Sequence, residues 1–144
     1  ILLCAVLHVV RASLSAPFGS WSDRLGRRKV IAFGLASHSL VMVGFGYATE
    51  AVWLWPLFAL HGLHAAFTEG AERGYVADLT GAGRRGTVFG VYHAVQGLAA
   101  FSAPLCLGAV WDARGPVWAF GVGAASQALA LVLLWTVVPS SRHR

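Results

Sequence analysis

The chain has 144 residues, of which 57% are hydrophobic and 12% charged, and its mean hydropathy is +0.65. A soluble domain carries about a quarter charged residues, so this composition excludes a water-soluble enzyme and a disordered chain alike. The net charge of +5 does not point to nucleic acid either, because the basic residues sit in short clusters between long uncharged runs rather than on a polar face.

Residues 30–49, 51–68, 86–111 and 115–141 contain no Asp, Glu, Lys or Arg, giving runs of 20, 18, 26 and 27 residues. About 20 helical residues cross a hydrocarbon core of ~30 Å. Lipid admits only helices and closed barrels, and these runs are too long and too little alternating for barrel strands of about 9–11 residues. The sequence therefore predicts an all-α, polytopic transmembrane helical bundle with helices near 1–17, 30–48, 51–68, 87–111 and 117–138. The first span starts without a flank at Ile1, the one methionine is Met42, and residues 1–17 lack the basic leader and cleavage site of a signal peptide. Residues 1–144 are thus expected to be a partial C-terminal transmembrane domain of a longer protein.

In the first span Arg11 shares a helical face with His8 and Ser15. A charge there costs at least ~2.5 kcal/mol on insertion scales. Two accounts fit it: pairing with an anion or with a carboxylate of a preceding helix, or snorkelling of its long stem to the headgroups. The segment 18–29 follows, with Arg24, Arg27, Arg28 and Lys29. Gly19 and Gly26 are expected to supply its turns, with Pro17 marking the helix end before it. Asp23 suits the positive N-terminus of a neighbouring helix, and the arginines suit acids or lipid phosphate.

The span 51–68 aligns Leu57, His61, His64 and Thr68 on one face, where the two histidines can relay protons, touch a solute, or simply pack. No carboxylate or Cys joins that face at ligand spacing, so no metal is expected. In the span 87–111, Tyr92 and Gln96 share a face beside His93, and Pro104 is expected to kink the helix. Gly86 and Gly90 suit close helix packing. His38 and Gln127 read as packing residues, and Cys4 and Cys106 as small hydrophobes. Basic residues fall in the segments 18–29 and 69–86 and in the tail (Arg142, Arg144), while the other two connections hold Arg114 alone. The positive-inside rule then places those three segments, C-terminus included, in the cytoplasm of a plasma (inner) membrane protein.

Gly19-Ser20-Trp21-Ser22-Asp23-Arg24-Leu25-Gly26-Arg27-Arg28-Lys29 closely resembles the signature loop of the major facilitator superfamily. Thr68-Glu69-Gly70-Ala71-Glu72-Arg73, with Val76-Ala77-Asp78-Leu79 and Arg84-Arg85-Gly86, resembles that family's segment between helices 10 and 11. The resemblance implies helices 8 to 12 of a twelve-helix secondary transporter, without the N-terminal half and helix 7. It also implies that Asp23 docks on a helix of the other half, that Arg24, Arg27 or Arg28 pairs with Glu69 or Glu72 near Arg73, and that helices 8 and 10 border the solute path. In such a half, two three-helix units are related by inverted topology, so Trp21–Gly26 should correspond to Trp111–Gly115. The implied function is alternating-access transport of a small solute, with proton-coupled efflux first and uptake of a sugar or organic anion second. An intramembrane His-dependent enzyme is the distant third, since beyond the His61/His64 pair no further histidine box appears. No G-x-x-x-x-G-K-[ST] motif occurs, and no cofactor is expected.

Overall fold

The computed structural model of the chain describes residues 1–137, save the side chains of Ala16, Gly19, Ser20, Trp21, Asp23, Arg24 and Ala82. Pro139, Arg142 and Arg144 lie outside the described residues. Five helices follow one another: α1 (Leu2–Leu25), α2 (Arg27–Tyr47), α3 (Ala51–Leu79), α4 (Arg85–Arg114) and α5 (Pro116–Thr136), with a 3-10 turn at Ala82–Arg84 before α4. Among the described residues, α2, α4 and α5 are long and apolar enough to cross a membrane, and the Leu2–Ser15 part of α1 is a shorter apolar stretch. α3 has the length, 29 residues, but Trp53, Trp55, Pro56, His61 and His64 dilute its apolar character.

Two glycines make the tight joints. Gly26 between α1 and α2 has φ 89, and Gly115 between α4 and α5 has φ 85. A side chain resists these values, so glycine is needed at both. Each closes its helix in the same way, the Gly26 N–H donating to the Ser22 carbonyl (3.1 Å) and the Gly115 N–H to the Trp111 carbonyl (2.7 Å). Pro116 then opens α5 at its first turn, where its missing N–H costs nothing.

α1 lies chiefly on α3, α2 packs on both α3 and α5, and α4 touches mainly α5. A buried core of Val30, Ile31, Ala71, Tyr75 and Leu134 ties α2, α3 and α5 together near the Gly26 joint. α1 and α3 approach closely at Gly62, where a Cβ would stand 2.5 Å from the Leu7 carbonyl oxygen. α4 has no buried residue among those described.

Several expectations need correction. Segment 18–29 is not an open loop: helix runs to Leu25, resumes at Arg27, and passes through both Pro17 and the backbone of Gly19. Gly26 alone makes that turn. α3 likewise continues past residue 68 to Leu79, closed by the Thr80 hydroxyl donating to the Val76 carbonyl (2.6 Å). Charged residues outside lipid still satisfy their backbone best by staying helical, so the end of an apolar run is not the end of a helix. A Cβ at Gly86 or Gly90 would meet nothing within 4 Å among the described residues.

Candidate functional site

The predicted polar residues of α1, α3 and α4 converge on one cleft. Glu69, Glu72 and Arg73 share a face of α3 at helical spacings of three and four, and Tyr92 and Gln96 do the same on α4. Arg11 Nη2 of α1 donates to Glu69 Oε2 at 2.7 Å. Arg73 Nη2 stands 3.7 Å from the same oxygen, and its Nε donates to the Glu69 carbonyl at 3.2 Å. The Tyr92 hydroxyl donates to Glu72 Oε2 at 3.2 Å and accepts from Gln96 Nε2 at 3.4 Å. His93 Nδ1 meets Gln96 Oε1 at 3.2 Å, which makes Nδ1 the donor. Arg11, Glu69, Arg73, Tyr92, His93 and Gln96 line a polar cavity of about 140 Å³.

The counter-ion of Arg11 is therefore inside this chain, 58 residues away, and not on a preceding helix. α3 measures about 44 Å at ~1.5 Å per residue, well beyond a ~30 Å core, so Glu72 lies past the stretch that lipid must cover. Burial pushes its carboxyl above the usual carboxylate range; the bond from Tyr92 opposes this, Glu69 adds to it, and Arg73 opposes it. His8, on the Arg11 face, is exposed, and Ser15 donates to its own helix at the Ala12 carbonyl.

A second cluster lies between α2 and α3. His38 Nε2 is 3.1 Å from His61 Nδ1, and the His38 and His64 rings stack at 4.2 Å, 5° from parallel. Gln127 of α5 also faces His38. The pair His61/His64 was legible as an i, i+3 face; its third member, on another helix, carried no local signal. Among the described residues no group of three His, Cys, Asp or Glu has a geometry that could hold a metal.

The third cluster is the turn around Gly26. Arg27 Nε pairs with Asp78 Oδ2 at 2.9 Å. Arg28 Nη2 donates to the Leu134 and Trp135 carbonyls at 2.8 and 3.0 Å, with its guanidinium 4.5 Å from the Trp135 ring centre. These contacts give Arg27 and Arg28 partners other than the expected acids: Glu69 is held by Arg11 and Arg73, Glu72 by Tyr92, and the acid Arg27 meets lies on the extra helical turns of α3. Arg28 acts instead as a cation at the C-terminal carbonyls of α5, where the helix dipole favours it. The side chains of Asp23 and Arg24 lie outside the described residues, and of Gly19 only the backbone is described.

The sequence profile of the Major Facilitator Superfamily matches residues 2–144. The chain belongs to the major facilitator superfamily. It is 35% identical over 111 residues to an uncharacterised transporter of this type from Methanocaldococcus jannaschii, covering 77% of this chain and 28% of that protein. It is 41% identical over 68 residues to multidrug resistance protein 2 of Bacillus subtilis, covering 46% of this chain and 17% of the relative. A puromycin resistance protein of Streptomyces alboniger is 33% identical over 115 residues, 79% of this chain and 23% of the relative. The chain thus spans less than a third of the length of the curated relatives it matches. No solved structure matches it. The family and the three apolar helices together make this an integral membrane chain.

Proposed function

We propose that the chain forms helices 8 to 12 of a twelve-helix secondary transporter that exports a small solute by alternating access, driven by protons. The single observation that carries this reading is the cleft of Arg11, Glu69, Arg73, Glu72, Tyr92 and Gln96. It is a connected set of ionisable groups that runs from Arg11, inside the first apolar span, to Glu72 beyond the end of the third, and ionisable groups inside a span mark solute and proton pathways. The cleft can do two things. Arg11 and Arg73 offer cationic donors held by one carboxylate, which an anionic or acceptor-rich solute can compete for. Glu72, half-buried and bonded to Tyr92, can gain a proton without leaving the cluster.

The relatives named for drug and puromycin resistance support export over uptake. The exposed face of α4 supports the missing half. The two Gly joints pair α1–α2 with α4–α5, and α1 rests on α3, so a repeat related by inverted topology calls for a helix resting on α4 in the same way. The basic clusters at 24–29 and 84–85 support a cytoplasmic Gly26 turn and C-terminus. Asp23, docked on the N-terminus of a helix from the other half, would hold the cytoplasmic side shut.

The test is export by the full-length protein in everted membrane vesicles, with puromycin and ethidium as probes. Accumulation that collapses with a proton uncoupler is expected. Accumulation indifferent to the uncoupler removes the proton coupling, and no movement of either probe removes the drug-export reading.

A further inference from the structure

The outer surface between α2 and α3 carries a continuous apolar groove. Two adjoining cavities, of about 490 and 290 Å³, share Phe33, Leu63 and Phe67. Phe33 meets Phe67 edge-on at 5.9 Å along its floor. Phe33 and Leu40 are 62% and 73% exposed, so nothing among the described residues covers them. The groove runs from Lys29 to Leu40, about 16 Å along α2 at ~1.5 Å per residue. One leaflet is about half of a ~30 Å core.

Lys29 lines the groove at its end nearest the Gly26 turn. It differs from its neighbours in sequence. Arg27 is paired with Asp78 and Arg28 with the end of α5, whereas Lys29 is exposed and forms no ion pair among the described residues. An apolar channel one leaflet long, with a free ammonium at its headgroup end, has the shape and charge of one amphiphile.

We propose that this groove binds an anionic phospholipid of the cytoplasmic leaflet, its acyl chain lying on Phe33, Leu63 and Phe67 and its phosphate meeting Lys29. Anionic lipid is attracted to basic groups at that surface, and an uncovered groove at membrane depth must be filled by apolar matter. The leaflet assignment rests on the orientation proposed above; the site itself does not.

The experiment uses full-length protein in nanodiscs, with phosphatidylglycerol or phosphatidylcholine carrying a photoreactive acyl chain, and maps the adducts by mass spectrometry. Both leaflets hold the same lipid, so a wrong orientation leaves this result unchanged and is detected separately by surface labelling. Phosphatidylglycerol is expected to label residues 30–41 and 57–67 severalfold more than phosphatidylcholine. Lys29→Gln should lower that labelling to the phosphatidylcholine level, and Lys29→Arg should retain it. Equal labelling by the two lipids, or labelling unchanged in Lys29→Gln, overturns the headgroup contact. Absence of adducts on both stretches overturns the site altogether, because the rest of the protein then covers the groove.

Discussion

Arg11 and Glu69 illustrate how a costly residue finds its place. A lone arginine in a span is expensive, yet Glu69 meets it at 2.7 Å, and Arg73 flanks the same carboxylate. Removing Arg11 leaves Glu69 with Arg73, whose geometry is poorer, and opens the bridge between α1 and α3. Arg11→Ala is expected to cut transport at least about tenfold at normal membrane levels, with Arg11→Lys restoring part of it because a point charge replaces a fork of donors. Normal transport by Arg11→Ala would reduce the pair to a packing contact. Glu72 makes a pH argument. Its raised carboxyl pKa means that the folded chain holds this proton to higher pH than the unfolded one does. Stability from this group is thus present at low pH and lost as pH rises from the ordinary carboxylate range through the raised value. Glu72→Gln, a mimic of the protonated acid, should flatten the pH dependence of transport while leaving solute binding in place. A pH profile identical to the parent's would move the proton site elsewhere.

At the level of helices, the uncharged runs made the spans legible, because lipid excludes charge. Helix ends were not legible from them: Leu25 and Leu79 lie among charged residues, yet both remain helical. Partners across helices were legible only where family resemblance proposed them, and there the arginines of the Gly26 turn took different ones. Arg27–Asp78 and Arg28–Leu134 join residues 51 and 106 positions apart, distances at which local periodicity carries no information. The close approach of α1 and α3 at Gly62 was equally hidden. Gly62→Ala would push a methyl against the Leu7 carbonyl and should destabilise the folded protein by about 1–3 kcal/mol, the usual cost of overpacking. Thermal denaturation of the detergent-solubilised full-length protein reads this directly. Gly26→Ala, forced to φ 89, should cost at least about 1–2 kcal/mol by the same measurement.

At the scale of the whole molecule, the chain divides by its joints into matching helix pairs, α1–α2 and α4–α5, hinged on Gly26 and Gly115. α3 stands between them. The polar cleft is lined in part by α4, which has no buried residue among those described; in the proposed transporter the other half closes over it. Alternating access requires that this cleft communicate with each side of the membrane in turn and never with both together. Gln96 lies in the cleft and is exposed, so its position reports on that requirement. The most direct measurement is labelling of a single cysteine in Gln96→Cys, made in a full-length protein whose native cysteines are replaced, with a membrane-impermeant thiol reagent applied from each side. Labelling from both the outer face of cells and the cytoplasmic face of everted vesicles, slowed by a transported solute, is the predicted result. Labelling from one side alone, or from neither, would contradict a solute pathway through this cleft.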